Sequence, residues 1–188
     1  FVNTVLAASA GALGWSVLEY ISKQTTSLIG MLSGMLAGLV AITPAAGFVN
    51  YIEAIIIALI GGGCCYLVIN YIKVKLNYND ALDAFGIHGI GGIVGALLTG
   101  VFQSKNANPS IQDGLLAGGH WQAVGSQFLA VFVTIIFSVV MTYILARCIG
   151  YWTSLATTKD EEQLGLDETV HGEQAYFYGE MNKFKQRH

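Results

Sequence analysis

Charged side chains are scarce in this chain. They make up 11% of its 188 residues, whereas a soluble domain carries about 25%. Hydrophobic residues account for 54% of the chain and lie in long runs. The composition excludes an ordinary soluble domain and predicts an all-α polytopic membrane protein. The net charge of −3 is local, because residues 153–188 hold seven acidic and four basic side chains.

Several kinds of site are also missing. Cys64, Cys65 and Cys148 lie in apolar segments without metal-ligand or disulfide spacing, so we expect packing roles and no metal or cofactor. No Ser-His-Asp arrangement or nucleotide loop indicates an enzyme. The basic residues are scattered, which argues against nucleic-acid binding. Phe1 is not an initiator methionine and no basic stretch precedes the first apolar run, so we expect no signal peptide and a cropped N-terminus.

A membrane span needs about 20 apolar residues, and five runs qualify or come close. We predict helices at about residues 2–18, 28–42, 52–72, 84–102 and 122–152, which form a membrane domain over 1–152. The second is short and ends at Thr43-Pro44, where proline removes a backbone donor. The fifth exceeds the bilayer requirement. Residues 153–188 form the tail.

The basic residues predict the orientation of these helices. Short cytoplasmic loops are rich in lysine and arginine. One side of the membrane has five basic residues, and the other has only Lys105. We therefore expect the tail to be cytoplasmic. The five are Lys23, Lys73, Lys75, Arg147 and Lys159.

His88 is an ionisable side chain at the head of a long apolar run. Such groups are costly at membrane depth and mark functional sites. Helical spacing predicts that it shares a face with Gly92, Gly95, Ala96 and Thr99, directed at a neighbouring helix or cavity. An imidazole there could pass a proton or hydrogen-bond a small permeant. The alternative is a structural histidine that bridges two helices.

Acidic residues and glycines have more ordinary interpretations. Asp80 and Asp83 open the fourth helix, and we expect them to cap its backbone N–H groups, with ion binding as the alternative. Glu53 could cap the third helix likewise. Small residues four apart predict close helix packing, or else a narrow conduit; they are Gly30, Gly34 and Gly38 on the second helix, and Gly92, Ala96 and Gly100 on the fourth. The remaining histidines are expected to be solvated: His120, His171 and His188.

Three segments together resemble the ammonium transporter family, which includes the methylammonium permeases and the Rhesus proteins. They are DALDAFGIHGIGG at 80–92, GxxxGLVAITPAAGF at 34–48 and GLDETVHGEQAY at 165–176. The resemblance implies a fold of about eleven helices in two inverted halves, of which this chain has the last five and the tail. It is then either a fragment of a transporter or a subunit that pairs with a second chain.

The resemblance also implies a function. It suggests a homotrimer in the plasma (inner) membrane, in which each protomer has a hydrophobic pore for ammonium/ammonia and methylammonium. Ammonium is recruited at an outer vestibule, loses a proton and passes two histidines, of which His88 matches the second. Ala84 matches a pore-wall position and Ser33 a polar position near the cytoplasmic end. Asp83 matches the carboxylate at the foot of the pore helix.

For the tail, the resemblance implies regulation. The segment that carries Gly165, Asp167, Thr169 and His171 is expected to pack under a neighbouring protomer, with Thr169 as a phosphorylation switch. A PII-type regulatory protein is the expected partner at the cytoplasmic face. Two other functions compete with transport. One is an ammonium sensor or regulatory module that signals through the tail, and the other is a purely structural membrane subunit.

Overall fold

The computed structural model describes residues 1–173, and the regular elements in this range are helical. Helices form at all five predicted apolar runs. Residues 174–188, with His188 and the end of the third family-like segment, lie outside the described part. The helices are α1 (Val2–Lys23), α2 (Leu28–Ile42), α3 (Tyr51–Leu76), α4 (Phe85–Phe102), α5 (Trp121–Gly150) and α6 (Lys159–Leu164).

Four of these helices, α1, α3, α4 and α5, are long and apolar enough to cross a membrane. The α2 helix has 15 residues, and at about 1.5 Å per residue it is shorter than the hydrocarbon core. It ends before Thr43, whose hydroxyl donates to the Leu39 carbonyl at 2.7 Å. The predicted proline boundary therefore coincides with the end of α2.

The first helix is longer than the hydropathy of the sequence predicts. We expected it to end near Leu18, but α1 continues to Lys23. Its last turns contain Glu19, which is only 5% exposed. The predicted end of the helix lies just before its first charged residue, because a carboxylate normally lies where a helix leaves the membrane for water. Here the helix continues because Glu19 is hydrogen-bonded at the beginning of α2.

Close contacts between small residues hold α1, α2 and α3 together. A Cβ atom on Gly38 of α2 would overlap the Ala7 carbonyl of α1. A Cβ atom on Gly62 of α3 would lie 2.5 Å from the Gly11 carbonyl oxygen. Backbones approach this closely only where side chains are absent, which is how membrane helices gain packing energy without a hydrophobic driving force.

Two segments of the membrane helices are π-helical. Val68–Lys73 forms the penultimate part of α3, and Phe85–Ile90 opens α4. The two segments contact each other, and a Cβ atom on Gly86 would overlap the Ile69 side chain. A π-helical turn is wider than an α-helical one and often occurs at a functional site.

The described chain divides into two compact units, residues 1–136 and the part that begins at Phe137. The second unit contains the end of α5, α6 and a short π-helical segment, Asp167–His171. Its α6 helix begins with a capping box, in which the Thr158 hydroxyl and the Glu161 carboxylate bond each other's backbone N–H groups.

Candidate functional site

His88 lies in the π-helical segment at the beginning of α4, and its side chain is exposed in this chain. The predicted shared face with Gly95 and Thr99 is wrong. The wider π-helical turn rotates the chain less per residue, so residues seven apart no longer align. The face of α4 that packs against the other helices consists of Ile87, Gly91, Gly95 and Thr99.

The open face of α4 carries His88 in a row of small residues. Ala84 is exposed, and a Cβ atom on Gly92 would meet no atom within 4 Å. These positions are four residues apart on either side of His88. The imidazole therefore lies on a narrow strip that the described helices leave open. Ser33 on α2 is half-buried.

The foot of α4 is fixed by two carboxylates that act differently. Asp80 accepts hydrogen bonds from the backbone N–H groups of Ala84 and Phe85, both at 2.9 Å. Asp80 lies four residues before Ala84 rather than at the capping position, but these bonds satisfy two of the free N–H groups at the beginning of α4. The carboxylate of Asp83 instead pairs with Lys73 at 2.6 Å, and its backbone is left-handed with φ 55°. Lys73 also donates to the Asp80 carbonyl at 2.5 Å, so it ties α3 to the beginning of α4.

The expected cap at Glu53 is not present in the structure. Asn50 precedes α3, and no side-chain hydrogen bond caps that helix. The Oε2 atom of Glu53 is buried and has no hydrogen-bond partner within residues 1–173. Its side chain lines a hollow with residues of the loop that follows α4.

Sequence reasoning missed Glu19. Its Oε2 accepts the Ser27 backbone N–H at 3.2 Å, and its Oε1 accepts the Ser27 hydroxyl at 3.1 Å. The Ser27 hydroxyl oxygen in turn accepts the N–H of Gly30 at 3.0 Å. Lys23 lies 3.5 Å from Glu19. The sequence contains one indication of this arrangement. Glu19 and Lys23 are four residues apart at the end of an apolar run, a spacing at which opposite charges on a helix attract each other.

The tail residues form a local turn. The Thr169 hydroxyl donates to the Gly165 carbonyl at 2.9 Å, and the Glu173 N–H donates to the Asp167 carbonyl at 2.9 Å. Gly165 has φ 93°, a backbone conformation that favours glycine. His171 ends the π-helical segment and is exposed.

The capping box that precedes this turn has an electrostatic consequence. Hydrogen bonds from the backbone N–H and the hydroxyl of Thr158, at 2.7 and 2.9 Å, lower the pKa of Glu161. They favour the ionised carboxylate, because both bonds end on Oε2 and a negatively charged oxygen accepts them more strongly than a neutral one.

These features define a helical integral membrane protein with an ionisable residue on an open face. The chain matches the model of the Ammonium Transporter Family over residues 1–176. It is 44% identical to an ammonium transporter of Bacillus subtilis over 176 residues, and 43% identical to one of Aquifex aeolicus over 175 residues. The chain belongs to the ammonium transporter family.

The two relatives are longer than this chain. The alignments cover 94% and 93% of it but only 43% and 40% of the relatives. Among solved structures, Mep2 of Saccharomyces cerevisiae matches with a TM-score of 0.78 and 34% identity, over 85% of this chain and 37% of that one. A structure named Sensor Amt Protein matches with a TM-score of 0.78 and 26% identity, over 92% of this chain and 41% of that one.

Proposed function

We propose that these helices form the second half of an ammonium transporter, which moves ammonium and methylammonium across the membrane. Family membership supports the activity. The observation that carries the proposal is the position of His88, on the open strip of α4 between Ala84 and Gly92. An imidazole exposed at membrane depth needs a polar or water-filled neighbour, and a permeation path would provide one.

In this proposal each residue of the strip has a separate role. A neutral His88 offers one donor and one acceptor nitrogen to a small polar permeant. Gly92 leaves room for the permeant beside His88 because it has no side chain, and Ala84 adds only a methyl group on the other side of the imidazole. Ser33 offers a hydroxyl near the cytoplasmic end. The first histidine of the pair would come from the other half of the transporter.

The test is uptake of labelled methylammonium by the full-length protein with His88→Leu. We expect a lower initial rate or an altered selectivity for methylammonium, with normal amounts of protein in the membrane. His120→Leu is the matched control, since His120 is exposed and lies outside α4. Wild-type rate and selectivity in the His88→Leu variant would show that the imidazole has no part in permeation.

We further propose a homotrimer in the plasma membrane with the tail in the cytoplasm. The excess of lysine and arginine on the tail side supports this orientation. In this arrangement a PII-type protein could bind the cytoplasmic face. Reaction of the Ser154→Cys variant with a membrane-impermeant thiol reagent, compared with the wild-type protein, checks the orientation, because Ser154 is exposed and follows the end of α5. The introduced thiol should be protected in intact cells and react after permeabilisation.

For the tail we propose regulation through Thr169. A phosphate there would carry a charge near −2 next to Asp167 and Glu168. It would also replace the hydroxyl that bonds the Gly165 carbonyl. We expect Thr169→Asp to lower uptake and Thr169→Val to preserve it. If both variants transport equally, the switch hypothesis fails.

A sensor is the second candidate function, because the chain resembles the solved Sensor Amt Protein. Deletion of residues 153–188 separates the two candidates. A sensor that signals through its tail would lose its cellular response, whereas a transporter would retain uptake or lose only its regulation. Unchanged uptake and unchanged regulation would remove the support for signalling.

A further inference from the structure

Arg147 is the only charged residue in a long stretch of the chain. Between Asp113 and Lys159 the sequence contains no other acidic or basic side chain. The run before it, residues 128–146, is uncharged, mostly apolar and part of α5. At about 1.5 Å per residue this run spans about 28 Å, close to the hydrocarbon thickness of a bilayer. When α5 crosses a membrane, Arg147 therefore lies where the lipid headgroups begin.

Arg147 lines a notch at the end of α5. Tyr143 lies one helical turn before it on the same face, and Tyr151 follows the last residue of the helix. Gly150 has no side chain, and Leu155 folds back so that its Cδ1 atom lies 3.3 Å from the Cβ position of Gly150. These residues, together with Ala146, enclose about 460 Å³, which we call the α5 notch.

The charge of the α5 notch suits an anion. Arg147 is exposed and forms no ion pair within residues 1–173, and no acidic side chain lines the notch. A guanidinium presents its N–H donors in a planar fork that matches two oxygens of one phosphate group. Tyr143 and Tyr151 add two hydroxyl groups that can donate to the same oxygens.

The surroundings of the α5 notch suit a lipid rather than a free anion. Towards the middle of the membrane, the helix surface next to Tyr143 is apolar, with Val139 64% and Val140 49% exposed. An acyl chain can cover this surface, whereas a free phosphate would leave it bare. Tyrosine side chains are also enriched at the level of the headgroups, where their rings meet apolar groups and their hydroxyls meet polar ones.

We propose that the α5 notch binds the phosphate of an anionic glycerophospholipid, whose acyl chains lie along the apolar face of α5. Arg147 supplies the positive charge, Gly150 supplies the space for the headgroup, and Leu155 forms an apolar wall. A zwitterionic lipid is a poorer ligand, because its headgroup brings a second positive charge next to the guanidinium. The inference does not rest on the proposed transport function.

The test is quenching of Trp152 fluorescence by lipids with brominated acyl chains, titrated into the purified full-length protein in non-ionic detergent. Trp152 is exposed, and its ring centroid lies 6.2 Å from that of Tyr151, so it reports locally on the notch. Subtracting the signal of a Trp152→Phe variant removes the contribution of all other tryptophans. We expect brominated phosphatidylglycerol to quench at a lower concentration than brominated phosphatidylcholine.

Four variants separate the contributions to binding. Arg147→Gln should raise the half-quenching concentration of phosphatidylglycerol about tenfold, or about 1.4 kcal/mol, as expected when a charge-assisted pair is lost. Arg147→Lys keeps the charge without the fork and should raise it by less. Gly150→Leu should also weaken binding, because it fills the notch without changing the charge. Lys159→Gln is the matched control, a base removed outside the notch, and should leave binding unchanged.

An arginine that only extends into water would not distinguish the two lipids, and it would not make binding sensitive to Gly150→Leu. Equal half-quenching concentrations for wild type and Arg147→Gln, or for the two lipids, would overturn the lipid site. Relief of the quenching by sodium phosphate, but not by sodium chloride of equal ionic strength, would assign the notch to free phosphate instead. Absence of quenching in the wild type would show that another part of the full-length protein covers the notch, and it would equally overturn the proposal.

Discussion

Gly92 and Gly95 of α4 provide a matched pair of positions that should respond differently to alanine. They lie three residues apart on the same helix, yet they face different surroundings. A Cβ atom on Gly95 would overlap the Ala41 carbonyl of α2, whereas a Cβ atom on Gly92 would meet nothing within 4 Å. The identical substitution therefore tests close packing at one position and open space at the other.

The magnitude follows from two contributions. Alanine is about 1 kcal/mol more favourable than glycine inside a helix, and both variants gain this term. The Gly95→Ala variant must also push α2 away, and overpacking costs about 1–3 kcal/mol. The difference between the two variants should equal that cost. The unfolding entropy is about 2.1 cal/mol/K per residue, so a full-length protein of the relatives' length, about 400 residues, shifts by roughly 1 °C per kcal/mol. Gly95→Ala should therefore melt about 1–4 °C below Gly92→Ala.

The assay is thermal unfolding of the purified full-length protein in one detergent, followed by fluorescence, with methylammonium uptake measured in parallel. We expect Gly92→Ala to melt at or above the wild-type temperature. Its added methyl group stands beside His88 on the open strip, so uptake should fall although the protein remains stable. Equal melting temperatures for the two variants would show that α2 and α4 do not approach as the structure describes. A stable Gly92→Ala variant with wild-type uptake would contradict a conduit along the strip.

Three further outcomes are expected. Asp80→Ala should lower the unfolding free energy by about 1 kcal/mol and Asp80→Asn by less, because asparagine can still cap the helix; equal losses in chemical denaturation would refute the cap. Glu19→Gln should lower the unfolding free energy by about 1 kcal/mol in the same assay, because the hydrogen bonds to Ser27 would no longer involve a charged acceptor. An unchanged denaturation midpoint would contradict a carboxylate that is paired with Ser27. The pKa of Glu161 is lower in the folded protein than in a solvated glutamate. The stabilisation from its bonds to Thr158 is therefore fully present above the usual glutamate pKa, and it is lost as the pH falls through the lower, folded pKa. The Thr158 amide signal in NMR should titrate with a midpoint below that of a solvated glutamate, and a midpoint at or above it would exclude the capping bond.

Each predicted apolar run coincides with a helix of the described chain, and four of these helices are long and apolar enough to cross a membrane. The predicted bounds of α2 agree with the structure, since a proline follows and the preceding loop is polar. The end of α1 could not be predicted in this way. Hydropathy treats Glu19 as a group in water, and only the folded chain supplies the Ser27 donors that permit its burial.

The candidate sites depended on features that no apolar pattern contains. A π-helical turn adds a residue without altering the composition, so the face occupied by His88 could not be read from α-helical spacing. The hollow beside Glu53 depends on how the loop after α4 folds over the beginning of α3. No fixed spacing in the sequence relates Glu53, Lys105 and Asp113. Taken alone, each resembles an ordinary charged residue at the membrane interface.

The π-helical segment and the glycines of α4 act together on His88. Gly91 and Gly95 let the helix lie close to its neighbours, with the Gly91 Cβ position 3.2 Å from Val40. With an α-helical register His88 would share that crowded face. The wider turn instead leaves the imidazole on the open strip, where hydrocarbon would be a costly neighbour for an ionisable group. The strip is therefore better suited to water or to polar protein groups than to lipid, as a permeation path past His88 requires.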